Sequence, residues 1–298
     1  MFWLVLALLG AFFTSMTTIL AKIGIEKVNS NFATFYRTGI VIICSLILCV
    51  ISSSIMKIGE LKLNNWIFIG LSGIATGCSW LCYYKALQLG NINKVAPIDK
   101  SSFILTSILF LIFFFQSTTK NGDILTIVML IVSMILMLFG TLLMIGKNDD
   151  NQIKSSKWLV YAILSAVFAS LVSFFIKLGL AGISSDLGTL LRTIVVFVFA
   201  GTIVLVRKDY KGTKQITKKS WLFLTLSGIA TGGAWLCEYA ALNIENVNPI
   251  AVNSIGKLSI LLTMLFSFVI LKEKFNKRSI YGLILLVIGI ILIIAFSL

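Results

Sequence analysis

Histidine is absent from this sequence and proline occurs only twice. Without an imidazole, acid–base chemistry by the one side chain that normally titrates near neutrality is excluded, and most metal sites lose their commonest ligand. Two prolines leave room for long, seldom interrupted helices. Charge is scarce as well. Lys, Arg, Asp and Glu make up 12% of the chain, about half of the roughly 25% of a soluble domain. What replaces them is apolar: 58% of the 298 residues are hydrophobic, and the mean hydropathy is +1.03. A soluble domain of this size cannot hide so much apolar surface in one core. An aqueous enzyme, a nucleic-acid binder and a secreted disulfide scaffold are therefore excluded. The five cysteines, Cys44, Cys49, Cys78, Cys82 and Cys237, all lie in apolar runs and read as small packing residues. Cys78 and Cys82 share a helical turn, but without histidine they do not make a metal site. The sequence implies neither metal nor cofactor.

Ten spans of about 20 apolar residues need roughly 200 residues, and the chain supplies them. Apolar runs fall at 2–22, 31–54, 64–89, 94–116, 122–146, 157–180, 186–206, 220–243, 249–271 and 279–297. They must be helices, because lipid cannot satisfy open backbone groups. No basic stretch precedes the first run and no small-residue cleavage site follows it, so it reads as a retained span. The longest polar break, Lys147 to Lys157, divides the chain near its middle, and a basic break runs from Arg207 to Lys219.

A shift of 155 residues lays Trp66-Ile-Phe-Ile-Gly-Leu-Ser-Gly-Ile-Ala-Thr-Gly on Trp221-Leu-Phe-Leu-Thr-Leu-Ser-Gly-Ile-Ala-Thr-Gly. The same shift pairs Trp80-Leu-Cys with Trp235-Leu-Cys, Tyr84 with Tyr239, Lys22 with Lys177 and Arg37-Thr38 with Arg192-Thr193. After Ala96 and Ala251 the register slips by two, and Lys100 meets Lys257. Matched Trp, Arg and Lys rule out shared apolar bias, so the chain is a tandem duplication: a first repeat 1–146, a linker 147–156 and a second repeat 157–298. Each repeat holds five spans. Five is odd, so the second repeat enters the membrane upside down. The expected fold is an all-α membrane protein with ten transmembrane helices as two inverted five-helix repeats. Such repeats supply two near-equivalent states by exchanging conformations, the structural logic of alternating access.

The 25 Lys and Arg outnumber the 11 Asp and Glu and give a net charge of +14. Mapped onto the loops, sixteen cations fall on one side and four on the other, which places both termini outside. The remaining five, Arg37, Lys85, Lys100, Arg192 and Lys257, lie within spans. Ionisable groups there cost a few kcal/mol each on insertion scales and need a reason. By depth and inversion they form two clusters on opposite faces: Arg37, Lys85, Lys100 and Asp99, and Arg192, Lys257 and Glu238. Their formal sum of +3 favours a substrate with an anionic group. Glu238 is the candidate for a protonatable coupling residue. Against this, Arg37 and Arg192 can snorkel or hold helix carbonyls.

Between the clusters, Gly73, Thr76, Gly77, Trp80 and Tyr84 recur at three- and four-residue spacing and share one helix face. Gly228, Thr231, Gly232, Trp235 and Tyr239 repeat the stripe. Glycines four apart permit close helix contact, while a mid-span Trp either packs or lines a cavity with its indole donor. The expected substrate-binding set is Thr76, Trp80, Tyr84, Lys85, Thr231, Trp235, Glu238 and Tyr239. Ser15, Ser170, Thr106 and Thr263 either add hydroxyls to it or bond their own helices.

Ser79-Trp-Leu-Cys-Tyr-Tyr-Lys-Ala-Leu-Gln-Leu-Gly followed by Val95-Ala-Pro-Ile-Asp-Lys, and Ala21-Lys-Ile-Gly with Phe35-Tyr-Arg-Thr, resemble an EamA domain of the drug/metabolite transporter superfamily. Their second-repeat partners extend the resemblance over nearly the whole chain. It implies a transporter of a small molecule in the lipid bilayer of the cell membrane, with both termini in the cytoplasm, opposite to the lysine count. Similar proteins carry amino acids, nucleotide sugars, sugar phosphates and drugs. Small multidrug-resistance relatives bind cations at a carboxylate where this chain has Thr14 and Ala169, which disfavours a proton-coupled cation exporter. The reading is a secondary transporter of a polar or amphiphilic metabolite, coupled where required to a proton or ion. A flippase for a lipid-linked metabolite and an anion-selective channel are the alternatives. No histidine, carboxylate dyad or phosphate loop points to an enzyme, and nothing points to nucleic acid or fixes an oligomeric state.

Overall fold

A computed structural model describes residues 2–25, 28–89, 98–99, 101–115, 123–143, 157–271 and 277–297. Among them there is no strand. The helices of the first repeat are α1 (Phe2–Gly24), α2 (Ser30–Ile51), α3 (Leu63–Leu89), α4 (Ser102–Phe113) and α5 (Ile124–Leu143). Those of the second are α6 (Lys157–Gly179), α7 (Ser185–Arg207), α8 (Lys218–Asn243), α9 (Pro249–Gly256), α10 (Leu258–Leu271) and α11 (Lys277–Ser297). Among the described residues nine spans are long and apolar enough to cross a membrane, Pro249–Phe266 counting as one, and α4 is a shorter apolar helix in the place of another. Large apolar side chains face outward at helical spacing, as with Phe2, Val5, Leu8, Leu9 and Phe12 on α1. The protein is a multi-pass membrane protein of all-α class.

Besides the shorter α4, two spans differ from their sequence reading. The second ends at Ile51 rather than 54, because the chain turns through Ser53 in the left-handed region (φ 56°) into a short 3-10 helix, Ser54–Glu60. The ninth is divided at Lys257, which adopts a turn between α9 and α10. The start of α9 is set locally: Asn248 accepts hydrogen bonds from the N–H groups of Ile250 (2.9 Å) and Ala251 (3.4 Å). Pro249 then occupies the first turn, where its missing N–H costs nothing.

The chain forms two compact units, and each draws on both repeats. One comprises Met1–Ile74, Phe175–Ile244 and Ser259–Leu271; the other comprises Ala75–Phe174, Glu245–Leu258 and Lys272–Leu298. In the first unit α1 packs antiparallel on α8. Gly10 abuts Ala234 and Glu238, Gly233 abuts Phe13, the Ser227 hydroxyl donates to the Thr17 carbonyl (2.9 Å), and Gly24 abuts Leu224. In the second unit Ser79 of α3 meets Ser165 of α6, and α5 packs against α11 with α9 against α4 and α11.

The α2–α7 pair gives the inversion directly. The Asp186 carboxylate, in the first turn of α7, accepts hydrogen bonds from the hydroxyls of Ser52 and Ser54 just past the end of α2. The Asp209 carboxylate, just past the end of α7, accepts from the amides of Asn29 (2.9 Å) and Asn31 (2.8 Å) at the start of α2. Repeat-equivalent helices therefore run antiparallel. About one turn in from Asn31, Phe35 stacks on Phe197 with ring centroids 4.5 Å apart. The two 3-10 connectors, Ser54–Glu60 and Asp209–Gln215, sit 155 residues apart, and each follows a left-handed residue, Ser53 or Lys208.

The repeat-matched glycines bring neighbouring helices close. A Cβ on Gly73 of α3 would lie 2.6 Å from Val195 Cγ1 and 3.3 Å from the Arg192 carbonyl oxygen on α7. A Cβ on Gly228 of α8 would lie 2.7 Å from Ile40 Cβ and 3.1 Å from the Arg37 carbonyl oxygen on α2. The two contacts are equivalent under the 155-residue shift, and only glycine permits such an approach.

Candidate functional site

In the first unit the sequence-expected residues Arg192, Trp235 and Tyr239 come together. Arg192 is only 2% exposed, and its guanidinium carbon lies 4.4 Å from the Trp235 ring centroid and 5.4 Å from that of Tyr239. Trp235 and Tyr239 are four residues apart on α8, so one helix face presents both rings to one cation. Its Nε donates to the Ser72 hydroxyl at 3.2 Å. A desolvated guanidinium on aromatic faces gains about 2 kcal/mol per favourable ring. This arrangement offsets part of the cost of holding the charge away from water. The arginine is thus held between α3, α7 and α8.

Arg37 is held by the same stripe one turn earlier. Its Nη2 donates to the Thr231 hydroxyl at 2.9 Å, and that hydroxyl donates in turn to the Ser227 carbonyl at 2.7 Å. The Thr17 and Thr231 hydroxyls are 3.3 Å apart. Thr231 therefore joins α1, α2 and α8. Glu238 is half-buried on α8, next to Tyr239. Lys177, a repeat partner of Lys22, donates from Nζ to the Leu242 carbonyl at the end of α8.

The second unit carries Thr76, Trp80, Lys85, Asp99 and Lys257. Thr76 is buried, Trp80 and Lys257 are half-buried, and Lys85 is exposed. The Ser165 hydroxyl lies 2.6 Å from Asp99 Oδ1 and donates to it, and it also meets Ser79 at 3.3 Å. Asp99 thus has a hydroxyl from α6 as a partner. The Tyr84 side chain and Lys100 lie outside the described residues. Of the four extra hydroxyls, Ser15 bonds the Phe12 carbonyl (2.6 Å), Ser170 that of Val167 (2.7 Å), and Thr106 those of Ser102 (3.0 Å) and Ser170 (3.3 Å). Helix carbonyls claim these three.

Sequence reasoning missed Ser72, Thr17, Ser79 and Ser165, because serine and threonine are common in apolar helices and only tertiary contact singles them out. It also missed Asp186 and Asp209. Both lie at span ends, where a carboxylate ordinarily reads as solvated.

Antiparallel repeat-equivalent apolar helices, with Arg192 buried and Arg37 half-buried between them, define a polytopic membrane protein. A family model described as the EamA-like transporter family matches residues 1–139 and 156–295, and the chain belongs to that family. A curated relative from Sinorhizobium sp., named as an uncharacterized transporter in the cobO 3' region, is 41% identical over 117 residues, which is 37% of this chain and 79% of that protein. A solved crystal structure, described only as that of a protein, has the same fold: TM-score 0.74 at 15% identity, over 98% of both chains. The protein is a membrane transporter of small molecules.

Proposed function

We propose that this protein is a secondary active transporter of the cell membrane that moves a small polar or amphiphilic metabolite by alternating access, with a preference for substrates bearing an anionic group. Its two EamA repeats are 1–146 and 157–298, joined by 147–156. The observation that carries the reading is the antiparallel run of α2 and α7 with matched contacts at Gly73 and Gly228. Two equivalent, oppositely oriented halves offer two states of similar energy by exchange of their conformations. The anionic preference rests on the cations Arg37, Lys85, Lys100, Arg192 and Lys257 within spans. Arg192 supports it most, since its guanidinium is buried over the rings of Trp235 and Tyr239. Thr76, Trp80, Tyr84 and Lys85 in one repeat and Thr231, Trp235, Glu238 and Tyr239 in the other are the proposed substrate residues. Asp99 belongs with the charged groups that gate access.

The test is flux into proteoliposomes holding the purified protein, from a panel of amino acids, sugar phosphates, nucleotide sugars and lipid-linked sugars, with and without a proton gradient. The expected result is saturable uptake of a member with an anionic group, and a thermal shift with that compound that Trp80→Ala removes, since binding stabilises as RT ln(1 + [L]/Kd). Flux that never saturates would instead indicate a channel. Movement of no panel member under any gradient overturns the proposal.

A further inference from the structure

Exchange of conformations between inverted repeats has a strict consequence for contacts. A contact between residue i of one repeat and the equivalent of j in the other becomes, in the opposite state, a contact between j and the equivalent of i. When one structure already contains both members of such a pair, both persist through the exchange. Contacts of this kind stay closed throughout the cycle.

Three pairs in the first unit meet this condition. Gly73 against Arg192 and Val195 is matched by Gly228 against Arg37 and Ile40. Gly24 against Leu224 is matched by Gly179 against Ile69. The third is found at the ends of α2 and α7. Asn31 bonded to Asp209 and Ser54 bonded to Asp186 are equivalent positions, since Asp186 lies 155 residues after Asn31 and Asp209 lies 155 after Ser54. The helices span 22 and 23 residues, about 33 Å at 1.5 Å per residue, so the two clasps lie at opposite faces of the hydrocarbon layer.

We infer that the α2–α7 pair, clasped by Asp186 at one end and Asp209 at the other, is a stationary strut: neither clasp is a gate, and the moving parts pivot against this pair. The inference rests on the alternating-access reading above.

Two double variants test it, Asn31→Cys with Asp209→Cys and Ser54→Cys with Asp186→Cys, in a chain whose five native cysteines are replaced by serine and which carries a protease site within 147–156. Oxidation joins the halves covalently, and the band that survives protease reports the extent of joining. Uptake is measured with a mixed panel of radiolabelled amino acids, sugar phosphates and nucleotide sugars. The strut requires that oxidised protein, linked at either end or at both, keep uptake within threefold of its reduced form. A larger loss that reductant restores overturns it. A further pair inside the strut, Phe35→Cys with Gly201→Cys bridged by a short bis-maleimide, carries the same requirement without touching either clasp. Absence of uptake before any linking, in unmodified protein, sinks alternating access itself and not the strut alone.

Discussion

The two ends of the α2–α7 pair perform one task with opposite chemistry. At one end the carboxylate belongs to the connector, Asp209, and the donors Asn29 and Asn31 belong to the helix start. At the other the carboxylate belongs to the helix start, Asp186, and the donors Ser52 and Ser54 belong to the turn and connector. The duplication has preserved the contact while the charge changed sides. A carboxylate facing hydroxyls or amides is one charge-assisted arrangement, and either partner can supply the charge. The glycine contacts are the opposite case. Gly73 and Gly228 keep the same residue because the constraint is steric and admits only one solution.

The steric case gives the largest expected effect. Gly73→Leu and Gly228→Leu each force a branched side chain into a space where even a Cβ meets Val195 or Ile40 below 3 Å. Overpacking at such a contact costs about 3 kcal/mol. Both variants should lower the apparent Tm of detergent-purified protein, and by similar amounts. A large drop at one position with none at the other would show that the two contacts are not equivalent.

The charge-swapped ends allow a direct exchange. Ser54→Asp sets a second carboxylate against Asp186, and like charges in this half-buried position should cost about 2 kcal/mol. Adding Asp186→Asn gives that end the chemistry of its counterpart, a connector carboxylate facing a helix-start amide. The double variant should recover most of the stability, read as a coupling in a double-mutant cycle. If the two losses simply add, the ends are not interchangeable.

How much of this was legible in the sequence follows from the same contrast. The apolar spans, the duplication and the inversion were legible because apolar runs are long and because Trp66, Trp80, Arg37 and their partners recur as identical letters. Gly73 and Gly228 were legible for the same reason. The clasps were not, since Ser54 with Asp209 and Asn31 with Asp186 look unrelated when residues are matched one by one; only paired contacts reveal them. The interruption of the ninth span was hidden as well. Lys257 sits between two apolar stretches, and nothing in hydropathy distinguishes a turn from a buried helical lysine. For the site, residue type identified Arg192, Trp235 and Tyr239 individually, but not that the rings hold the guanidinium.

Asp209→Ala should act more weakly than the swap. Its carboxylate is half-buried, near exposed Tyr210 and Lys211, so solvent competes for it. A loss of about 1 kcal/mol is expected. An unchanged Tm at low salt would remove Asp209 from the clasp.

The smallest effect separates two positions that the duplication made equivalent and evolution then divided. Thr225 lies 155 residues after Gly70. Its hydroxyl shares a 2.9 Å hydrogen bond with the Tyr36 phenol and also donates to the Trp221 carbonyl. The counterpart of Tyr36 is Leu191, which has no polar group to satisfy, so a hydroxyl at position 70 has nothing to bond there. A Cβ on Gly70 would meet nothing within 4 Å, unlike Gly73 one turn away. Gly70→Ala should therefore raise stability by about 0.5 kcal/mol through helix propensity and loss of unfolded-chain entropy. Thr225→Ala should lower it by about 1 kcal/mol, because it leaves the Tyr36 hydroxyl without that partner. Opposite signs at matched positions are the outcome the geometry requires; a loss at both would mean that Gly70 takes part in a close approach like those at Gly73 and Gly228.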